Sequence, residues 1–109
     1  MAEYNHNIVG WAALTEYSER RAYAGTAEIA VYVEEPFRGH GIGRKLAEAI
    51  IRSGKEAGLH TLISRIAQGN EASIKLTESL GFTHVGTMKE VGRKFGLLLD
   101  VIIMQFIYD

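Results

Sequence analysis

One junction constrains this chain more than any other. A cleanly alternating segment leads through a short turn into a cluster of glycines, and the cluster opens an amphipathic helix. From Thr26 to Val33, Ile29, Val31 and Val33 fall on one face and Glu28, Ala30 and Tyr32 on the other, the period of a strand. Pro36 and Arg38 mark the turn. Arg38-Gly39-His40-Gly41-Ile42-Gly43-Arg44 follows, and a helix runs from about Gly41 to Ala57, where Gly58 stops it. Ile42, Leu46, Ala49, Ile50 and Ser53 recur on one side of that helix; Arg44, Lys45, Glu48, Arg52 and Lys55 are its polar side. Glycines let backbone approach a ligand closely. A helix start adds unpaired N–H donors and the positive end of the dipole, so the junction suits an anion such as phosphate. Arg38 and Arg44 bring charge to the same end. The alternative is a tight turn that merely starts a helix; glycines at 39, 41 and 43 between two arginines favour the anion site.

The remaining segments predict a mixed sheet with helices packed on it. Ile8 to Thr15 reads as a strand with a bulge at Gly10, and Glu16 to Gly25 as a polar loop. Thr61 to Ile66 is a short central strand. Asn70 is placed to cap a second helix, with Ser73 in its first turn, Ala72, Leu76 and Leu80 on its apolar side and Gly81 at its end. Thr83 to Val91 and Leu97 to Tyr108 form two strands joined by a turn at Gly92 to Gly96. The interleaved order β-β-α-β-α-β-β implies an α/β (α+β) arrangement, and 109 residues make one domain, 1–109.

Composition narrows the function. Twelve Lys and Arg balance 13 Asp and Glu for a formal charge of -1, which offers nothing to nucleic acid or to an anionic membrane. The chain has no cysteine, so disulfides, thiolate metal sites and Cys nucleophiles are excluded together, as fits a reducing cytoplasm. His6, His40, His60 and His84 lack metal-ligand spacing, so no metal is expected. The polar start and the short apolar stretch at Leu97 to Met104 point to neither a signal peptide nor a membrane span. A Walker A loop is absent, since Lys45 follows Arg44 and precedes Leu46. The dinucleotide fingerprint G-x-G-x-x-G is absent too; the spacing is G-x-G-x-G.

Arg38, Gly41 and Gly43 resemble instead the R-x-x-G-x-G pyrophosphate loop of the GNAT superfamily of N-acetyltransferases. Gly10-Trp11-Ala12-Ala13-Leu14, Thr26-Ala27-Glu28, Val31-Tyr32-Val33, Asn70-Glu71-Ala72-Ser73-Ile74, Gly81-Phe82 and Val91-Gly92-Arg93-Lys94-Phe95-Gly96 resemble the phosphinothricin acetyltransferase family, in the same order from about Ile8 to Gln105.

The resemblance implies a mixed, mostly antiparallel sheet whose central parallel pair splays apart for acetyl-CoA, the co-substrate. It implies that Val31, Tyr32 and Val33 pair with the pantetheine arm. Arg38, Gly39, His40, Gly41, Ile42, Gly43 and Arg44 would hold the pyrophosphate, with Asn70 and Ser79 completing the site. Glu28 matches the family's substrate-side glutamate and would accept the proton of an ammonium substrate; read from its residues alone, it is equally a solvent-face strand residue. Arg20, Arg21 and Tyr23 fall in the loop that helps bind an amino-acid-like substrate, where arginines suit a carboxylate or phosphinate; a solvated polar loop is the alternative.

Two positions depart from the family. Thr77 stands where a Tyr or His serves as acid for the departing thiolate, and Leu98 where a Trp helps shape the acceptor pocket. The family's first strand and helices have no counterpart before the Gly-Trp-Ala strand, so a truncated domain with a bare sheet edge, and hence a homodimer, is expected. The expected activity is direct, cytoplasmic acetylation of a small primary amine of the phosphinothricin or methionine sulfoximine type. The rival is a non-catalytic acyl-CoA-binding remnant.

Overall fold

Alternating apolar residues become strands, and the small residues among the apolar ones decide how the helices lie on them. The computed structural model describes residues 2–4, 7–18, 21–34 and 41–109. In chain order these form β1 (Ala2–Tyr4), β2 (Asn7–Glu16), a 3-10 turn (Arg21–Tyr23), β3 (Thr26–Val33), α1 (Ile42–Glu56), β4 (Thr61–Ala67), α2 (Glu71–Ser79), β5 (Thr83–Lys94) and β6 (Leu97–Ile107). One six-stranded sheet runs β1-β2-β3-β4-β6-β5. β3 and β4 pair in parallel and the other neighbours antiparallel, as the resemblance implied.

The core lies where α1 and α2 cover the sheet. Ala27, Ile29, Leu62, Ile66, Phe82, Met104 and Tyr108 are buried together, with Phe106 edge-on to Tyr108 at 4.9 Å between ring centres. Strand alternation puts Leu62, Ser64 and Ile66 of β4 on the helix side and leaves Ile63 and Arg65 on the other.

Four expectations are corrected here. The first concerns α1, which buries Ala47 and Gly54, while Ala49 and Ser53 are exposed. Gly54 crosses so close to Tyr108 that an added Cβ would overlap its hydroxyl. Small residues therefore set this interface, and a reading that weighs bulky side chains misses them. The second concerns α2, which buries Thr77 and exposes Ala72. The third is the sheet edge. The short strand β1, absent from the sequence reading, pairs with Asn7–Gly10 of β2 and itself becomes the outer strand there, so the edge is shifted rather than closed. A register shift between Ala2 and Glu3 sits opposite Gly10, where the bulge was expected.

The fourth is the β5–β6 turn, which is only Phe95 and Gly96, at φ 52 and 77. Two left-handed residues match a type I′ hairpin, so the strands continue through Gly92 to Lys94. Within that hairpin the register shifts between Met88 and Gly92, and Asp100 fills the irregularity. Its carboxylate accepts from the Glu90 N–H at 2.9 Å and from Lys89 Nζ at 3.2 Å. Those donors, the backbone one first, hold its pKa below the usual carboxylate value. The Asp100 N–H donates to Gln68 Oε1 at 2.6 Å and the Gln68 N–H returns to the Asp100 carbonyl at 2.9 Å, tying the hairpin to the end of β4.

Candidate functional site

The central parallel pair is brief. β3 and β4 register as Thr26↔Thr61, Ala27↔Leu62 and Glu28↔Ile63 and then part. Beyond Glu28, β3 stays with β2 through Gly10↔Val33, and β4 stays with β6 through Ala67↔Val101. Two strands each held by an outer neighbour can separate without either losing its whole ladder. The opening is a cleft of about 240 Å³. Val31 stands on its β3 side, Ser64 on its β4 side, and Asn70, Ser73 and Thr77 close it from α2.

The head of α1 begins at Gly41, which caps it at φ 79 with no side-chain hydrogen bond. Such a φ is strained for any residue with a Cβ. Gly43 differs. A Cβ there would stand 3.6 Å from Val33 Cγ2 and 3.8 Å from Leu76 Cδ2, ordinary contact distances. Packing therefore does not require glycine at 43, although glycine inside a helix costs roughly 1 kcal/mol against alanine. Among the described residues nothing else crowds it, which fits close approach of a diphosphate to the helix amides. Arg38, Gly39 and His40 lie outside the described residues.

Glu28 occupies the point of separation. Its carboxylate is on the sheet face away from the helices and is gripped at both oxygens by the Arg65 guanidinium, Nε to Oε2 at 2.9 Å and Nη2 to Oε1 at 2.5 Å. Hydrogen bonding to Glu28, and then its charge, raise the pKa of Arg65 above its ordinary value. A second cleft of about 580 Å³ opens on this face, with Glu28, Arg65, Tyr17, Met88, Ile103 and Gln105 among its walls. Glu28 and Arg65 also line the first cleft, so the pair stands where the two openings meet.

A sequence profile described as the Acetyltransferase (GNAT) family matches residues 1–82. The chain belongs to the GNAT family. It is 39% identical over 102 residues to an L-methionine sulfoximine/L-methionine sulfone acetyltransferase of Pseudomonas aeruginosa, covering 94% of this chain and 59% of that one. It is 42% identical over 97 residues to a phosphinothricin N-acetyltransferase of Streptomyces coelicolor, covering 89% and 57%. A GNAT superfamily phosphinothricin acetyltransferase of Sinorhizobium meliloti, solved in complex with acetyl-CoA, superposes with a TM-score of 0.87 at 32% identity, covering 91% of this chain and 54% of that one. The chain spans about three fifths of the length of the curated relatives it matches.

The remaining positions can be set on this GNAT frame. Asn70 caps α2, its Oδ1 accepting from the Ser73 N–H at 3.2 Å, which leaves the side-chain amide N–H groups for the cleft. Thr77 faces the cleft, but its hydroxyl proton goes to the Ser73 carbonyl at 2.7 Å. Ser79 lies outside the cleft. Its hydroxyl donates to the Leu76 carbonyl and accepts from Arg44 Nη1, both at 2.7 Å, and so ties α1 to α2. Tyr32 stacks on Trp11 across β2 and β3 at 6.1 Å. Tyr23, in the 3-10 turn, is edge-on to Tyr17 at 5.9 Å and so supports a wall of the second cleft. Arg21 is exposed and lines neither cleft, and Arg20 lies outside the described residues.

Leu98 lines neither cleft. Alternation along β6 places it on the face opposite Ile103 and Gln105, away from the second cleft. Arg65 is the residue that sequence reading missed. The signal was present: it is a lone charge on a strand of Thr, Leu, Ile, Ser and Ala, the same mark that singled out Glu28. Among the described residues no cluster of three or more His, Asp or Glu could hold a metal ion, and no helix is long and apolar enough to cross a membrane.

Proposed function

We propose that this protein transfers the acetyl group of acetyl-CoA directly to the primary amine of a small amino-acid-like acceptor of the phosphinothricin or methionine sulfoximine type. The observation that carries the reading is the parting of β3 from β4 beside a helix start capped by a glycine, which has no side chain to occupy the helix amides. In this reading the backbone of Val31, Tyr32 and Val33 runs along the pantetheine arm, an extended segment meeting an extended ligand. Amides from Gly39 to Arg44, with Arg38, hold the diphosphate. Asn70 adds a side-chain donor, and Ser79 acts at one remove by holding Arg44. Acetyl-CoA supplies an activated thioester. Glu28 binds the ammonium of the acceptor and takes its proton, directly or through water, freeing the nitrogen lone pair for the thioester carbon. The carbon–sulfur bond then breaks, and the second proton that the acylated nitrogen loses balances the one the thiolate takes up through water. The Thr77 hydroxyl donates its hydrogen bond to a backbone carbonyl, which leaves water to carry that proton. Tyr23 supports the Tyr17 wall of the second cleft, and Arg20 and Arg21 belong to the acceptor loop in this reading.

Thermal melting tests the cofactor. Acetyl-CoA at about ten times its dissociation constant adds roughly 1.4 kcal/mol, a rise of about 5–10 °C for a domain of this size, and ATP and NAD give none. A rise with ATP or NAD and none with acetyl-CoA overturns the reading. The commitment of the Thr77 hydroxyl favours a second reading, an acyl-CoA-binding module without turnover. Release of thiol from acetyl-CoA with a panel of amines separates the two.

The proposed enzyme is cytoplasmic, with its acetyl donor, and works as a homodimer. Exposed Val91, Phe95 and Leu97 near the end of the β5–β6 hairpin support association. Sedimentation at micromolar concentration is expected to give a dimer; a stable monomer removes that element.

A further inference from the structure

The ion pair of Glu28 and Arg65 is poorly explained as a structural device. The Arg65 side chain is 55% exposed and that of Glu28 is 24% exposed, and pairs so open to water add little to stability. Its position is more telling than its strength. Among the described residues lining the 580 Å³ cleft, Arg65 is the one cation and Glu28 the one anion. The other described walls are apolar or neutral, with Ile63, Met88 and Ile103 beside the Gln105 amide. Such a cleft offers a side-chain-sized apolar berth with opposite charges at its inner end.

A simple amine entering this cleft would draw Glu28 away and leave the guanidinium without its partner. A zwitterion replaces what it breaks. Its ammonium meets Glu28 and its carboxylate meets Arg65, so one ion pair is exchanged for two and no net charge is added. An α-amino acid carries both groups on one carbon, close enough to reach pair members that sit within 3 Å of each other. Arg65 is also the right donor, since its fork receives a carboxylate or phosphinate at two oxygens and it is a cation at every working pH. Arg21 lines no part of this cleft.

We propose that Arg65 is a specificity-determining residue that receives the acceptor's anionic group, releasing Glu28 for the amine, so that acceptors with a carboxylate beside the amine are selected over plain amines. The proposal rests on the acetyl-transfer reading.

The test compares L-methionine sulfone with its α-carboxamide at saturating acetyl-CoA, in the wild type, R65Q and R65K. The expected result is a fall in the acid-to-amide ratio of kcat/KM by about 10–100-fold in R65Q, most of it in KM for the acid. R65K recovers part of it, through charge without the fork. Comparing ratios between variants cancels the different basicities of the two amines. Equal loss on both acceptors overturns the proposal, because Arg65 then only orients Glu28; an unchanged ratio overturns it as well. Calorimetric titration of both acceptors into the CoA-loaded protein reads the same ratio without turnover. A wild type that releases no thiol with any amine therefore overturns the proposed reaction, while the binding ratio still decides the role of Arg65.

Discussion

Glu28→Gln lowers kcat for acetyl transfer by about 10²–10⁴-fold and changes the dissociation constant of acetyl-CoA by no more than about threefold. The separation follows from the two faces of β3. The Glu28 carboxylate stands on the side of the sheet away from the helices, paired with Arg65, while the proposed cofactor elements at the head of α1 and at Asn70 stand on the other side. Glutamine keeps the length and shape of the side chain and one acceptor oxygen for Arg65. It has no capacity to take a proton from an ammonium ion. Loss of the ion pair itself is a small effect, within roughly 1 kcal/mol, because the partners are open to solvent. A stability change of that size leaves the folded fraction near unity, so the fall reports chemistry. Thiol release measured beside calorimetric binding of acetyl-CoA checks it. Equal losses in rate and affinity would sink the assignment of Glu28 as base.

What the sequence disclosed and what it withheld divide along a physical line. β3 was read at its true limits, Thr26–Val33, because an alternation so clean admits one period. Asn70 was read as a cap because its side chain competes for a backbone donor three residues on, a local event. Pairing of Glu28 with Arg65 spans 37 residues and depends on the register of β3 against β4, which no local pattern specifies. The same holds for Asp100, whose partners Glu90 and Gln68 lie on different segments. On α1 and α2 the large apolar residues, Ile50 and Leu80 among them, were read on the packed side, but the small ones were misplaced, for another reason. A helix pressed tightly on a sheet presents small residues, and Ala47 and Gly54 carry little apolar area by which to announce themselves. Leu98 was tied to the acceptor pocket by resemblance alone; strand parity turns it away from the second cleft. Arg38, Gly39 and His40, expected from the sequence to help hold an anion, lie outside the described residues.

Gly54→Ala lowers folding stability by about 2–3 kcal/mol, a fall of about 10 °C or more in Tm. Helix propensity alone gives the opposite sign, since alanine in place of an interior glycine stabilises a helix by roughly 1 kcal/mol. Crowding decides. The new methyl would overlap the Tyr108 hydroxyl and lie 3.3 Å from Cζ of that ring and 3.4 Å from Leu14 Cδ1. Tyr108 is 7% exposed and donates its hydroxyl to the Ile51 carbonyl at 2.6 Å, so it cannot turn aside without breaking that bond. Burial raises the pKa of this phenol above its ordinary value. Its contribution is thus complete well below pH 10, near which the unfolded tyrosine is about half ionised, and is lost as pH climbs through the higher folded value. Tyr108→Phe supplies the decisive comparison. It removes the atom with which the new methyl collides, costs about 1 kcal/mol by itself, and abolishes the alkaline loss. In the Tyr108→Phe background, Gly54→Ala should therefore cost at least about 1 kcal/mol less than in the wild type. Denaturant unfolding of the two single variants and the double variant measures this coupling. Strict additivity would mean that the helix yields elsewhere and that the contact between Gly54 and Tyr108 does not set how closely α1 lies on the sheet.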